Sequence, residues 1–186
     1  DPSDIQKPYA TQMDFLSKVW DGSKGAVGDN LGYYGCMAVA CENGGRRPMP
    51  MHLRFWSPDA PGFTSENDEL ESVFDVIIGA TGGHGIFIYD RGGDNIEFYR
   101  YFLRKNVDFI VRLKSRSVIS WKRRLMCDDL AAQCTLRYTD TITFDSHGKT
   151  FRVVLNYGVV PVRLPEISGK LLHMVVVRGF GKQPMM

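Results

Sequence analysis

The sequence has no stretch of about eighteen consecutive apolar residues, which excludes an ordinary membrane-spanning helix. No basic segment followed by a short apolar run opens the chain, so a secretory signal is not expected. Charge of one sign is not in excess either, because the formal net charge is only +2 over 186 residues. Such a balance neither requires nor excludes nucleic acid. We expect a cytoplasmic protein, associated with the bacterial nucleoid if it binds DNA, and no membrane partner.

Cysteine is scarce, and its spacing excludes the common zinc modules. Cys36 and Cys41 lie five positions apart on a predicted strand, so their side chains point to opposite faces. Cys127 and Cys134 are seven apart, and the four histidines are scattered singly. We expect buried, reduced thiols and no zinc site.

The residues that are present predict an α/β protein. Hydrophobic residues make up 44% of the chain and charged residues 24%, which suits a globular domain with a real core. Apolar periodicity in the first part alternates between the strand and helix periods. A hairpin turn is predicted at 42–45, and the first strand should end at or near Asp1. The order predicts a mixed sheet flanked by helices, built from strands at 33–41, 47–56, 85–89 and 107–113 and helices at 65–78 and 94–106.

The pattern of apolar and polar residues changes after residue 114. A helix is predicted over 120–133, with Trp121, Leu125 and Leu130 facing inward. Residues 136–160 alternate between apolar and polar side chains about a turn at 146–149, and two short strands follow near 162–164 and 171–177. We therefore divide the chain into a core, residues 1–114, and a β-rich insertion, residues 115–186. Both chain ends lead us to expect a piece of a longer protein.

One acid stands at the end of a short apolar strand. Asp90 follows residues 85–89 and precedes two glycines, at the position where α/β sheets place catalytic groups. Asp1 is expected at a second strand end, and paired carboxylates there suit Mg²⁺ or Mn²⁺. Two alternatives stay open: Asp90 only caps the helix that follows it, and Asp4 is as suitable as Asp1 on chemistry alone.

Positive charge collects in two places. Arg91, beside Asp90, is suited to a phosphate contact, although solvated surface is an equal alternative. The segment 112–124 contains six basic residues and no acid. Cations around an aromatic ring suit a nucleic-acid backbone and an unstacked base, whereas a plain solvated face is the simpler explanation. The candidate DNA-binding residues of this segment are Arg112, Lys114, Arg116, Trp121, Lys122, Arg123 and Arg124.

The chain resembles the DDE transposases of bacterial insertion sequences, in their cut-and-paste branch. The similar stretches are residues 1–10, 21–23 with 32–34, 89–92 with 109–114, and 175–179. The resemblance implies an RNase H-like core interrupted by a β-rich insertion after the second catalytic Asp. It implies cleavage and strand transfer at transposon ends with two Mg²⁺ or Mn²⁺ ions, DNA as partner and self-association in a synaptic complex. Asp1 would be the first metal-binding catalytic Asp and Asp90 the second.

The third carboxylate of the family is missing from its expected pattern. That residue is a Glu on a later helix, within Tyr-x2-Arg-x3-Glu-x6-Lys, and Glu166 is the only Glu after Glu97. We expect the third acid beyond Met186, and hence a chain that binds metal weakly and does not cleave DNA alone. Two other hypotheses are a non-catalytic nucleic-acid-binding or assembly module, such as a decayed or domesticated transposase, and an unrelated RNase H-like nuclease.

Overall fold

A computed structural model of the chain describes residues 2–10, 12–21, 25–41, 47–146, 148–167 and 169–179. Helices and strands are mixed along the chain, so the α/β class is confirmed. The chain divides into two compact units, Asp1–Ile110 and Val111–Met186. The sequence-based boundary lies after residue 114. Among the described residues, no helix is both long and apolar enough to cross a bilayer.

The first unit opens with an antiparallel sheet built around one long strand. Its strands are β1 (Pro2–Gln6), β2 (Ser17–Asp21), β3 (Ala26–Cys41) and β4 (Pro48–Trp56). Gly32 pairs with Gln6 of β1 and with Ser17 of β2, so β1 and β2 lie on opposite edges of β3. β4 pairs with the second half of β3, with a bulge between Ala38 and Val39. β3 is therefore the centre of this sheet.

One sequence prediction about this sheet is wrong. β3 begins at Ala26 rather than near residue 33, so Gly28, Asp29 and Asn30 also lie in a strand. β2 pairs with β3 on both sides of these three residues, at Ala26 and Val27 and again at Leu31 and Gly32, which outweighs the low strand propensity of glycine and aspartate. β1 begins at Pro2, and the strand end predicted at or near Asp1 lies outside the described residues. The turn predicted at 42–45 lies outside the described residues.

The helices of this unit begin and end at recognisable caps. α1 (Glu66–Thr81) is capped by Ser65, whose side chain accepts a hydrogen bond from the Asp68 N–H, and it ends at Gly82 in the left-handed conformation. α2 (Ile96–Lys105) begins two residues later than the predicted helix 94–106 and is capped by Asn95, whose side chain accepts a hydrogen bond from the Glu97 N–H. β5 (Ile86–Tyr89) and a short 3-10 helix (Arg91–Gly93) precede α2, and β6 (Asp108–Val111) follows it.

An aromatic cluster holds α1, α2 and β5 together. The Phe74 ring of α1 lies 5.6 Å from that of Phe98 and 6.1 Å from that of Tyr89, both in edge-to-face geometry. Each such pair contributes on the order of 1 kcal/mol beyond area burial. β5 pairs with β6, so strands β1 to β6 form two separate hydrogen-bonded sheets rather than the single mixed sheet predicted. The side of β5 away from α1 is open, and Ile88 is 75% exposed.

The second unit differs from the predicted helix 120–133. Residues 117–126 form a hairpin of β7 (Ser117–Ser120) and β8 (Arg123–Met126), and only the last turns are helical, as α3 (Cys127–Gln133). Trp121 is not inward but 66% exposed, because it lies in the hairpin turn. Its helix-like spacing from Leu125 and Leu130 is a coincidence of sequence.

A three-stranded antiparallel sheet completes this unit. Its strands are β9 (Tyr138–Ser146), β10 (Lys149–Val162) and β11 (Leu172–Arg178), in the order β11-β10-β9. The end of β10 packs closely against the segment after α3, since a Cβ at Gly158 would lie 2.7 Å from the Cys134 sulfur. None of the four cysteines forms a disulfide within the described residues; Cys36 and Cys127 are buried as expected, whereas Cys134 is partly exposed and Cys41 is exposed.

Candidate functional sites

The Asp90 carboxylate is held by the turn that follows it. Its Oδ1 accepts a hydrogen bond of 2.6 Å from the Gly92 N–H, and its backbone carbonyl accepts one from the Gly93 N–H at 3.1 Å. Asp90 therefore caps the 3-10 helix Arg91–Gly93, whereas α2, the helix predicted to follow it, is capped by Asn95. The side chain is exposed, and no hydrogen bond to Oδ2 is present within the described part of the chain. The turn thus fixes one carboxylate oxygen of an exposed side chain.

Glycine is required beside this acid for steric reasons. A Cβ at Gly93 would lie 2.4 Å from Cδ1 of the Tyr89 ring, well inside van der Waals contact. A Cβ at Gly92 would lie 3.0 Å from Asp90 Oδ1. The two glycines let the turn close onto the tyrosine ring and onto the carboxylate, which positions Asp90 on the aromatic core.

The Tyr89 hydroxyl is buried next to this acid. It has no hydrogen-bond partner among the described residues. Burial raises the pKa of Tyr89 well above its usual range, and Cys36, Glu66 and Asp90 act in the same direction. Tyr89 is therefore neutral at any working pH, which excludes it as a general base.

Cys36 of β3 is the cross-strand partner of Pro2, the residue that follows Asp1 in the sequence. Cys36 also acts to raise the pKa of the Tyr89 phenol. Asp1 itself lies outside the described residues.

Asp4 and Arg91 have different surroundings. The Asp4 carboxylate accepts a 3.2 Å hydrogen bond from Gln6 Nε2, and Gln6 Oε1 accepts one of 2.8 Å from Asn30. Asp4 is thereby engaged in a side-chain network on β1. Arg91 is exposed within the 3-10 helix, and no ion pair involves it among the described residues.

The described donor set for a divalent ion is one carboxylate. Asp90 offers a hard oxygen ligand of the type that Mg²⁺ prefers, on an exposed side chain. In the part of the chain that the structure describes, no three metal-ligating side chains come together. Asp90 fits the role of one ligand, and a second must come from elsewhere.

The basic hairpin, residues 117–126, presents Trp121 at its tip. Its two-residue turn has φ of 47° at Trp121 and 64° at Lys122. Positive φ at both positions is typical of a type I′ turn, which normally uses Asn-Gly. Two bulky residues therefore occupy a conformation that favours glycine, and the turn projects an indole and an ammonium group into solvent.

The hairpin is firmly attached to its unit. The Ser120 hydroxyl donates to the Pro161 carbonyl at 2.9 Å, and Val118 is fully buried. Ile119 and Arg163 exchange two backbone hydrogen bonds of 2.8 and 2.9 Å. The buried Cys127 thiol donates to the Lys114 carbonyl, which ties down the segment that leads into the hairpin. Trp121 thus projects from a fixed base.

The predicted DNA-binding cations are not equivalent. Arg112, Lys114, Lys122, Arg123 and Arg124 are exposed. Arg116 is different, since only 16% of its side chain is exposed and it forms an ion pair of 3.6 Å with Glu166. That pairing neutralises Arg116, and it also gives a structural role to the only late Glu of the chain.

Two cations of this surface were missed by sequence reasoning. Arg163 pairs with Ile119, which also pairs with Arg124, so Arg124 and Arg163 lie on the same face of the hairpin. Arg137 and Trp121 line one cavity of about 240 Å³. No local sequence signal links Arg163 to Arg124, because the strand pairing that brings them together spans about 40 positions. The other residues around the cavity are Gln133, Cys134, Thr135, Tyr138, Val159, Val160 and Pro161.

No family model matches this chain, and no curated protein sequence is detectably similar to it.

Proposed function

We propose that this chain is part of a DDE transposase, in which Asp1 and Asp90 contribute to a divalent-metal site and the basic hairpin contacts DNA. The RNase H-like arrangement of the first unit belongs to the same proposal. The observation that carries it is the turn after Asp90, which holds one oxygen of an exposed carboxylate at the end of β5. Asp1 enters the proposal from the sequence resemblance alone.

The chemistry of the proposed site follows from its ligands. Asp1 and Asp90 would hold Mg²⁺ or Mn²⁺, with a later Glu completing the set. Bound in this way, such ions lower the barrier for attack on a phosphodiester. The chain's own contribution is positional: the Gly92 N–H holds one carboxylate oxygen of Asp90, and the Gly93 N–H holds the Asp90 backbone carbonyl. Arg91, exposed one residue away, is suited to a phosphate oxygen.

Contact with the DNA backbone is assigned to the hairpin. Lys122, Arg123 and Arg124 follow one another at an exposed tip, and Trp121 is exposed enough for a base to stack on its ring. Arg163 extends the charge on the Arg124 face.

Salt titration of DNA binding tests this surface. We expect Arg123→Gln/Arg124→Gln to lower the slope of log K against log[salt] by nearly 2, since each phosphate contact contributes about 0.9. Arg152→Gln/Arg178→Gln removes the same charge from β10 and β11 and is the matched control. Fluorescence anisotropy of a labelled duplex measures both variants. Equal slopes for the two pairs would remove the hairpin from the DNA-binding surface.

A plasmid-nicking assay tests the catalytic part. With Mg²⁺ or Mn²⁺ we expect no turnover, because two carboxylates do not complete the site. Turnover that Asp90→Ala abolishes would contradict the need for a third acid.

A second candidate function is a non-catalytic nucleic-acid-binding or assembly module. The observation in its favour is that Asp90 already has a structural role as the cap of the 3-10 helix. The two candidates differ in metal binding: the module predicts that Asp90→Asn alters stability and leaves metal affinity unchanged.

A further inference from the structure

The far end of the β9–β10 hairpin exposes an apolar face. Residues that pair directly across two strands lie on the same face, and every second pair returns to it. Between Asp140 and Lys149 this rule gathers five apolar side chains on one side, which we call the ribbon face. They are Ile142, Phe144, Phe151, Val153 and Leu155.

This part of the sheet has two strands among the described residues. β11 ends at Arg178, opposite Asn156, so the rows beyond Asn156 are paired with β9 alone. A two-stranded hairpin is marginally stable in water unless something packs on its apolar side. Phe144 and Phe151 stack at 5.6 Å, yet they remain 43% and 44% exposed. The opposite face is mostly polar, with hydrogen bonds from Thr139 to Asn156 and from Thr150 to Asp145.

Charge is arranged at the two ends of the ribbon face. Asp140 lies at one end, opposite Leu155, and Lys149 lies at the other, opposite Ser146. Six residues separate these rows, or about 20 Å along the strands. The midpoint falls between the row of Ile142 and the row of Phe144. Consider two copies that face each other, related by a twofold axis at this midpoint. The axis lies in the plane between the copies and runs perpendicular to the strands. It would place Asp140 of one copy next to Lys149 of the other at both ends.

We propose that the ribbon face binds a second copy of this chain, face to face and with the strands reversed. Two facing copies can also be related by a twofold axis that runs parallel to the strands. That axis brings the Lys149 side chains of the two copies to the same position along the strands, where they repel. In the reversed arrangement Ile142 packs on Phe144 of the other copy. Both copies use the same surface, as a closed dimer requires.

The size of the face predicts a weak dimer. The five apolar side chains, each partly covered, expose on the order of 400 Å² per copy, about half of a standard interface. We therefore expect a dissociation constant on the order of 100 µM, in the range of transient contacts.

Sedimentation equilibrium of the whole chain up to about 500 µM tests the proposal against that expected affinity. Phe151→Lys should abolish association, and Asp140→Lys should weaken it about tenfold or more, because like charges then meet at both ends. Asp140→Lys/Lys149→Asp should return it to within about threefold of the wild type. Thr143→Lys, on the polar face of the same ribbon, is the control and should change nothing.

Three results would overturn the proposal. The first is a wild-type chain that stays monomeric throughout, which leaves the ribbon face to another kind of partner. The second is a Phe151→Lys variant that associates as strongly as the wild type. The third is a charge exchange that fails to restore association. Because Asp140 is exposed, the two charge variants remain informative even if Phe151→Lys does not fold.

Discussion

At the residue scale, Gly93 shows how sterics position the candidate catalytic acid. Gly93→Ala would bring a methyl group against the Tyr89 ring, so we expect a loss of about 1–3 kcal/mol in the free energy of unfolding. Gly79→Ala is the matched control: Gly79 lies inside α1, and nothing is within 4 Å of an added Cβ. It should stabilise the protein by about 0.5–1 kcal/mol. Urea denaturation measures both, and a shift of the same sign for both would contradict this account.

Burial of the Tyr89 phenol predicts that the free energy of unfolding falls at high pH. Its folded pKa is raised above the unfolded value of about 10, so its contribution is complete below that pH and is lost as the pH rises further. The loss approaches about 1.4 kcal/mol per pH unit for this one group. Tyr89→Phe removes this pH-dependent loss. At pH 7 the substitution should leave the free energy of unfolding nearly unchanged, because the hydroxyl has no partner among the described residues.

Unfolding by urea between about pH 8 and 11.5, a range that brackets the ordinary tyrosine pKa, compares the wild type with Tyr89→Phe. The two curves should run together below pH 10 and separate above it. Tyr101→Phe is the contrasting variant, since it loses a 2.7 Å hydrogen bond to Asp75 and should be less stable at pH 7 as well. Parallel curves for Tyr89→Phe across the whole range would contradict burial of a neutral phenol.

At the element scale, the turn of the basic hairpin should separate stability from binding. Lys122 has a φ of 64°, which costs a residue with a side chain about 1 kcal/mol. Lys122→Gly should therefore raise the free energy of unfolding by about that amount, while the loss of one cation lowers the salt slope of DNA binding by about 0.9. Urea denaturation and fluorescence anisotropy measure the two effects. A variant that loses stability would contradict the turn geometry.

The elements differ in how far sequence alone could predict them. α1 was predictable because its apolar stripe, its Ser65 cap and the glycines after it all agree. The hairpin at 117–126 was not, since its turn contains neither Gly nor Asn, and part of its pairing comes from the distant Arg163. β2 was missed for a related reason: it pairs with the unexpectedly early start of β3, between Ala26 and Gly32.

The features of the candidate sites also differ in how far sequence alone could predict them. The turn after Asp90 was predictable from its two glycines, which local sterics demand. The engagement of Arg116 by Glu166 and the place of Arg163 beside Arg124 were not, because they depend on contacts between distant segments. The geometry of the turn follows from the local sequence. Which cations form ion pairs depends instead on tertiary contacts, which the local sequence does not show.

At the scale of the whole molecule, the account depends on two acids that bind one ion. Titration of the chain with Mn²⁺, followed by electron paramagnetic resonance of the free ion, measures this directly. We expect one weak site whose affinity falls about tenfold or more in Asp90→Asn and equally in Asp1→Asn, with little further loss in the double variant. Asp59→Asn, an exposed acid elsewhere in the first unit, should bind as the wild type does. Mn²⁺ affinity that neither Asp1→Asn nor Asp90→Asn changes would contradict the account.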